Sequence, residues 1–582
     1  MPLRRRDRTG GPRRTRRLDV VVGEAETLVG GFCAAAGGEA APTEKNTRGA
    51  GAGAGCASAS PSCALPLGLP FFFFAVVFFS ASSPTPFAAA AAAAATGSGW
   101  GSAAAEERRR GSRAVERRVR RGATVKKDGE EGGDGEEEGD DVVSRRTVKP
   151  STPTPPHLRS YQLCWIDQIT PVYHLPVVFF YSAADADADL EILKSSLSTA
   201  LASFYPLAGR MSGNSIVDCG DQGVDFLEAR APGADLSEIL SSDEPDLDEV
   251  KKFLPCSKGE ASCCDSEPTV ILSVQATVFR CGGIAVGLCV SHKIADGRSL
   301  FSFLQAWAAA ARGSSSSENS PSFDGAAVFP PNANAVPYEG EKPPENKPPQ
   351  VRKRFVLDGP RIAALREKTA SSATTRFQAV AGLVWRSALR ARPRARAAVA
   401  TLVLDSRSRT EPPTPIGSFG NRCIAILVGI PRDVVENVAS DVTNESANNV
   451  LEAEMGAAVE GVDAEYVRRL QGEDGWLRAS ELTLEEVQKC GGLAEAGFDM
   501  NIFSSWLRLP VYEVDFGWGP AAWACTTLLG PSAMVVLPRP PSAGDPQGME
   551  VWASLGEDEM AELQRELDKL VPLNPVHHVG QP

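Results

Sequence analysis

The sequence predicts an α/β protein built in two parts. Three observations support this. Strand-like and helix-like runs alternate on both sides of the chain's middle. Between the two sides lies a Ser- and Pro-rich stretch, residues 313–350, containing "VFPPNANAVPYEGEKPPENKPPQ"; this composition reads as a stiff crossover linker that cannot build a core. Near Val142, charge blocks and small-residue runs give way to periodic apolar segments.

The 582 residues carry a formal net charge of −13, which argues against a general nucleic-acid or anionic-membrane surface. That charge is unevenly laid out. Residues 1–20 hold eight arginines, 108–127 are basic and 128–141 are acidic and Gly-rich. Such blocks are solvated chain, so residues 1–141 are expected to be a disordered, low-complexity leader. Within it, "LPLGLPFFFFAVVFF" (residues 65–79) contains two prolines and falls short of the ~20 apolar residues a spanning helix needs. It also lies too far from Met1 for an ordinary secretory signal, so no membrane anchor is expected. Thirteen cysteines include no C-x-x-C pair, and the densest cluster, Cys256 with Cys263 and Cys264, has no histidine neighbour. A reducing, cytoplasmic setting without a cysteine zinc site follows.

From Val142 the elements can be taken in order. A Pro-rich extended lead-in reaches a strand-like run at 175–181. A helix follows, with Leu190, Leu193, Leu197 and Leu201 at helical spacing and Pro206 as its stop. A hairpin comes next: "VILSVQATVF", the turn "RCGG", and the buried return "IAVGLCV". Beyond it, Leu300, Phe303, Leu304 and Trp307 mark the inner face of a helix. Past the linker, "VRKRFVLDG" reads as a strand and "TTRFQAVAGLVWRSALRA" as a helix. "RAAVATLVLDSRSR", "CIAILVGI", "FSSWLRLPVYEVDFGWG" and "SAMVVLPRP" contain further strand-like runs. No short internal repeat is present.

The returning hairpin strand delivers "SHKIADGRSL", with one of only five histidines, His292, four residues before Asp296. A histidine at a strand end is ordinarily a satisfied structural residue. Here Gly297 permits a sharp turn, Asp296 is free to bond backbone or a cation, and a neutral imidazole suits general-base work near pH 7. No metal is expected: His157, His174, His577 and His578 are all distant in sequence, and no H-E-x-x-H occurs. The folded region also has no G-x-S-x-G elbow for a serine nucleophile.

H-x-x-x-D-G at 292–297 is accompanied by "DFGWG" at 515–519. "FYPLAGR" (204–210), "LVLDSRSRTEPPTPIGSFGN" (402–421) and "SSWLRLPVYEVDFGWG" (504–519) stand in matching order. Over about residues 142–570 the chain resembles the plant BAHD acyltransferases, which use acyl-CoA. The resemblance implies two chloramphenicol-acetyltransferase-like domains, 142–312 and 351–578, each a mixed sheet with flanking helices, and an active-site channel between them. By the same analogy His292 sits mid-channel and takes the proton from an acceptor hydroxyl or amine, while the Asp296 carboxylate turns away and orients the loop.

The resemblance makes Asp515, Phe516, Gly517, Trp518 and Gly519 architectural. The glycines serve a tight turn, Trp518 packs, and Asp515 pairs with Arg407 or, second, Arg409; the alternative is that Asp515 caps its own turn. It implies no permanently bound cofactor, with acyl-CoA as co-substrate. The Arg-rich residues 385–396 could meet CoA phosphates, although a solvated helix face is the preferred reading. Arg422 stands where the family often has a smaller residue. Between Arg478 and Arg508 the only cation is Lys489. The resemblance implies that a cation for an acceptor carboxylate would come from this stretch before the S-W motif, so it favours a neutral alcohol or an amine, as in the vinorine-synthase-like and alcohol-acyltransferase-like branches. A cytoplasmic monomer is expected. The competing functions are a non-catalytic CoA-ester-binding protein of the same fold and a peptide-synthetase condensation domain. The latter's paired histidines are absent, since Ser291 precedes His292.

Overall fold

The computed structural model describes residues 141–570, apart from 183–185, 243–244, 256–269, 315–319, 336–348, 370, 393–396, 441–444, 491–497 and 528. Residues 1–140 with the apolar run 65–79, the Cys256 cluster, and His577 and His578 lie outside the described residues.

Two six-stranded mixed sheets organise the chain. The first takes β1 (Asp141–Val148), β2 (His174–Tyr181), β3 (Val224–Ala231), the hairpin β4 (Leu272–Phe279) and β5 (Ile284–Ser291), and one strand from much later in the chain. Its spatial order is β1-β3-β4-β5-β2 followed by that late strand. β2, β4 and β5 are buried along their whole length; β2 and β5 are nearly continuous apolar runs, whereas β4 also buries Ser273, Gln275 and Thr277. The helix expected after the His–Asp stretch is α3 (Gly297–Ala311), which packs on α2 (Ala186–Ser203). Leu300, Phe303, Leu304 and Trp307 are each no more than 1% exposed. Trp307 donates its indole N–H to the Leu193 carbonyl at 3.0 Å, fixing the two helices together.

The second sheet uses β6 (Gln350–Leu357), β7 (Ala397–Asp405), β8 (Cys423–Ile430), β9 (Phe498–Ser505), β11 (Ala533–Pro538) and β12 (Met549–Gly556). Their order is β8-β7-β9-β11-β12-β6, with β7–β9 and β9–β11 parallel. Over it lie α4 (Arg376–Ala391), capped by a Thr375–Gln378 capping box, and α8 (Glu557–Asp568). α5 (Glu445–Gly461), α6 (Ala464–Leu470) and α7 (Gly475–Lys489) complete the wall near β8. Among the described residues no helix is long and apolar enough to cross a membrane.

Three features differ from the sequence reading. First, the late strand β10 (Trp523–Cys525) pairs antiparallel with Val178–Phe180 in the first sheet, and Trp523 stacks on Phe180 at 5.4 Å. Three residues are too short to show a period, so only tertiary pairing reveals the crossover. Second, the stretch between the halves does contribute to the core. Phe329 is fully buried in the second cluster, and Phe323 packs edge-on against Tyr161, Tyr205 and Phe419. A few aromatics suffice to anchor a Pro-rich segment, whatever its average composition. Third, the Arg-rich end of α4 is no solvated face. Arg386 pairs with Glu452 at 2.9 Å and Arg392 with Glu559 at 2.7 Å, while Trp385 is fully buried. Acidic groups on α5 and α8 engage these guanidinium groups.

Candidate active site

β5 ends at Ser291, and the next residue is already outside the ladder. His292 is held by its backbone: its N–H donates to the Tyr173 carbonyl at 2.9 Å, and its carbonyl accepts from Asn421 Nδ2 at 2.7 Å. The Tyr173 ring lies 5.1 Å from the imidazole, centroid to centroid. His292 lines a cavity of about 300 Å³ whose walls include Trp165, Tyr173, Asn421, Ile426, Tyr466 and Leu482. Burial lowers the His292 pKa below the ordinary imidazole value; its own carbonyl, Asp296 and Asn421 pull it partway back. The group therefore stands neutral at pH 7, and its buried Nδ1 has no hydrogen-bond partner among the described residues.

Asp296 sits behind the cavity wall at 1% exposure. It is the N-cap of α3, with Oδ1 accepting from Ser299 N–H at 2.9 Å. Oδ2 accepts the Arg422 N–H at 2.9 Å and faces the Cys423 thiol at 3.5 Å. Arg407 grips both oxygens, Nη1 to Oδ2 at 2.9 Å and Nη2 to Oδ1 at 3.1 Å. Burial alone would raise the carboxyl pKa, but Arg407 and the two backbone donors overcome it and hold Asp296 well below the usual range. Its carboxylate is thus committed to architecture.

The expected Asp515–Arg407 pair is absent: Arg407 belongs to Asp296. Its remaining donors reach Ser418 O, Gly420 O, Ser299 Oγ and Asp405 Oδ1. Arg409 instead donates to the Val459 and Val462 carbonyls. Asp515 Oδ1 accepts from Gly517 N–H and Gly519 N–H, both at 2.8 Å, closing its own turn. Gly517 has φ +112°, a conformation a Cβ would strain. Phe516 packs at 4.9 Å against Trp307 and Trp518 at 5.2 Å against Tyr181, so the motif rests on α3 and β2, away from the residues lining the cavity. A tight turn satisfies the carboxylate locally, and sequence distance gave no means of choosing its partner.

For several site residues the sequence gives no readable role. Asp167, fully buried at the start of α1 (Trp165–Ile169), accepts from Asn421 N–H at 2.8 Å and Nδ2 at 2.9 Å. Asn421 thereby links the first helix to the His292 backbone. Its place in "GSFGN" was visible but its role was not. Lys293, 2% exposed, donates to the Gln168 carbonyl and Asn214 Oδ1, both at 2.6 Å. Burial brings its amine down to about 8. Arg422 is buried too, donating to Phe419 O at 2.9 Å, Asn421 O at 3.0 Å and Asp324 Oδ1 at 3.2 Å. It stitches the segment around Asp324 to the turn that carries Asn421.

A neutral, rigidly held imidazole in an apolar cavity can remove a proton from a bound nucleophile. The chain is also similar to known proteins. A family model described as "Transferase family" matches residues 141–570. Salutaridinol 7-O-acetyltransferase of Papaver somniferum is 31% identical over 477 residues, covering 74% of this chain and 98% of that protein. Stemmadenine O-acetyltransferase of Catharanthus roseus is 34% identical over 449 residues, covering 74% and 97%. The crystal structure of vinorine synthase, 33% identical, superposes with a TM-score of 0.62 over 74% of this chain and 98% of that one. The same fold, at 15% identity and a TM-score of 0.53, occurs in F. sporotrichioides TRI101 complexed with coenzyme A and T-2, covering 70% and 98%.

Proposed function

The chain belongs to the BAHD acyltransferases of the Transferase family, and from that premise we propose that His292 is the general base in acyl transfer from a CoA thioester to a hydroxyl of a plant specialised metabolite. The observation that carries the proposal is the position of His292: neutral, fixed at both backbone ends, and lining the cavity. The imidazole takes the hydroxyl proton as the oxygen attacks the thioester carbonyl. The tetrahedral intermediate then collapses, the C–S bond breaks, and the proton passes to the departing CoA thiolate. Base catalysis of this kind supplies about 10²–10⁴-fold, with positioning supplying much of the remainder. Asp296 is a positioning residue that acts through the loop, held by Arg407.

The relatives' names support an acetyl donor and an O-linked product. Among the described residues no lysine or arginine lines the cavity, and Lys489 pairs with Glu486 with its side chain 63% exposed. These facts favour an acceptor without a carboxylate. The test incubates the purified chain with acetyl-CoA and a panel of hydroxylated polycyclic and simple alcohols, reading CoA thiol release and acetylated product. Turnover is expected with at least one alcohol. Thioester binding without release across the panel would instead favour a binding protein of the same fold.

A further inference from the structure

We infer that Trp165 governs whether the acyl group passes to the bound alcohol or to water, because its indole fastens the turn between α6 and α7 over the cavity. This rests on the acyltransferase reading and adds a specificity residue to it. An imidazole that deprotonates a hydroxyl can equally deprotonate water. In that side reaction the water oxygen bonds to the thioester carbonyl carbon and the C–S bond breaks. His292 hands the water proton to the departing CoA thiolate, and the free acid is left. The base does not distinguish the two nucleophiles, so discrimination falls to what the cavity admits.

Two walls of different origin meet around that cavity. Trp165, Ile166 and Ile169 come from α1, whereas Tyr466 and Leu470 come from α6 and Leu482 from α7. α1 is held from behind. The Trp165 backbone N–H donates to the Phe329 carbonyl at 3.2 Å, its ring lies edge-on to Phe329 at 6.2 Å, and Asp167 accepts from Asn421. From that fixed base the Trp165 indole N–H reaches across to the Leu470 carbonyl at 3.1 Å, and both residues are buried. Leu470 ends α6, so its carbonyl has no partner within the helix. The indole supplies one from 305 positions away.

Gly475 makes the approach possible. A Cβ there would overlap the Leu470 carbonyl oxygen and come within 3.0 Å of the Trp165 indole nitrogen. The indole therefore sits in a notch of the turn that a larger residue at 475 would fill. Trp165 and Leu470 both line the cavity, so the bond between them lies in its wall. A mainly apolar cavity stays dry while it is shut, because water finds few partners inside. Where the wall parts, water reaches the reacting end.

The test measures CoA thiol release by the full chain from acetyl-CoA alone and with an alcohol it acetylates, together with the ester formed. In the unaltered chain nearly all the CoA released with alcohol should be matched by ester. Trp165→Phe keeps a flat ring and removes the N–H. Release without alcohol should then rise about fivefold, the shift in open population that loss of one ordinary hydrogen bond allows, and ester per CoA released should fall. Gly475→Ala fills the notch from the other side and should do the same. A folded variant of either kind that keeps the original partition between ester and acid overturns the inference, even if both reactions are slower. So does an unaltered chain that hydrolyses acetyl-CoA as fast as it acetylates. Absence of CoA release from the unaltered chain under every condition sinks the acyltransferase reading instead.

Discussion

Arg407 and Asp296 form a two-pronged buried ion pair, 2.9 and 3.1 Å across its two bonds, that ties the loop after β5 to the exit of β7 in the other sheet. Both groups are 1% exposed. Breaking a buried pair strands the surviving charge, at a cost of about 3–5 kcal/mol. Asp296→Asn and Arg407→Met should each destabilise by roughly that much, and the double variant by clearly less than their sum. Urea unfolding of the four proteins gives the cycle; simple additivity would dissolve the coupling.

His292→Ala should leave the unfolding midpoint nearly unchanged, because its side chain borders a cavity and not a packed core. Acyl transfer should fall at least ~10²-fold, in kcat more than in KM. A folded variant with near-normal turnover would remove His292 from the chemistry.

The pH profile has a defined sign. Burial holds the folded His292 pKa below its ordinary value, so the acid limb of kcat/KM should lie below pH 6.5. For stability, Lys293 matters on the alkaline side. Its folded pKa is about 8, against ~10.4 unfolded, so the unfolded chain binds more protons between those values. The Lys293 contribution to stability should therefore rise with pH across that window. Lys293→Met should flatten the slope; an unchanged slope would assign it to other groups.

Gly325 and Arg422 should behave as one unit. A Cβ at Gly325 would meet the Arg422 guanidinium, with Cζ at 2.9 Å. Gly325→Ala should cost about 1–3 kcal/mol as an overpacked site, and much less in an Arg422→Ala background. Thermal melts of the single and double variants measure this, and an equal penalty in both backgrounds would contradict the contact.

Asp515 works through one oxygen accepting two backbone N–H groups. Asp515→Asn retains an acceptor and should be mild, whereas Asp515→Ala loses both bonds and should cost about 1–3 kcal/mol, about 0.5–1.5 for each. Equal losses for the two substitutions would mean that charge, not the turn, is what Asp515 supplies.

The sequence by itself determined the elements that a local period can specify. The hairpin that ends at Ser291 was legible from the alternation of its first arm, the turn and the apolar run of its return, and the inner face of α3 at Leu300, Phe303, Leu304 and Trp307 from a spacing of about 3.6 residues. His292 and Asp296 were legible as a pair because their spacing is local. Tertiary structure alone decided what crosses between distant segments: Arg407 with Asp296, Asn421 with His292 and Asp167, Arg422 beneath Gly325, and β10 in the first sheet. The physical reason is common to all of them. A guanidinium or carboxylate is satisfied by any complementary group that folding brings within about 3 Å. Which group arrives depends on how the two sheets and their crossovers pack, a relation between residues far apart in the chain, 111 positions for Arg407 and Asp296 and 129 for Asn421 and His292, that no local pattern records.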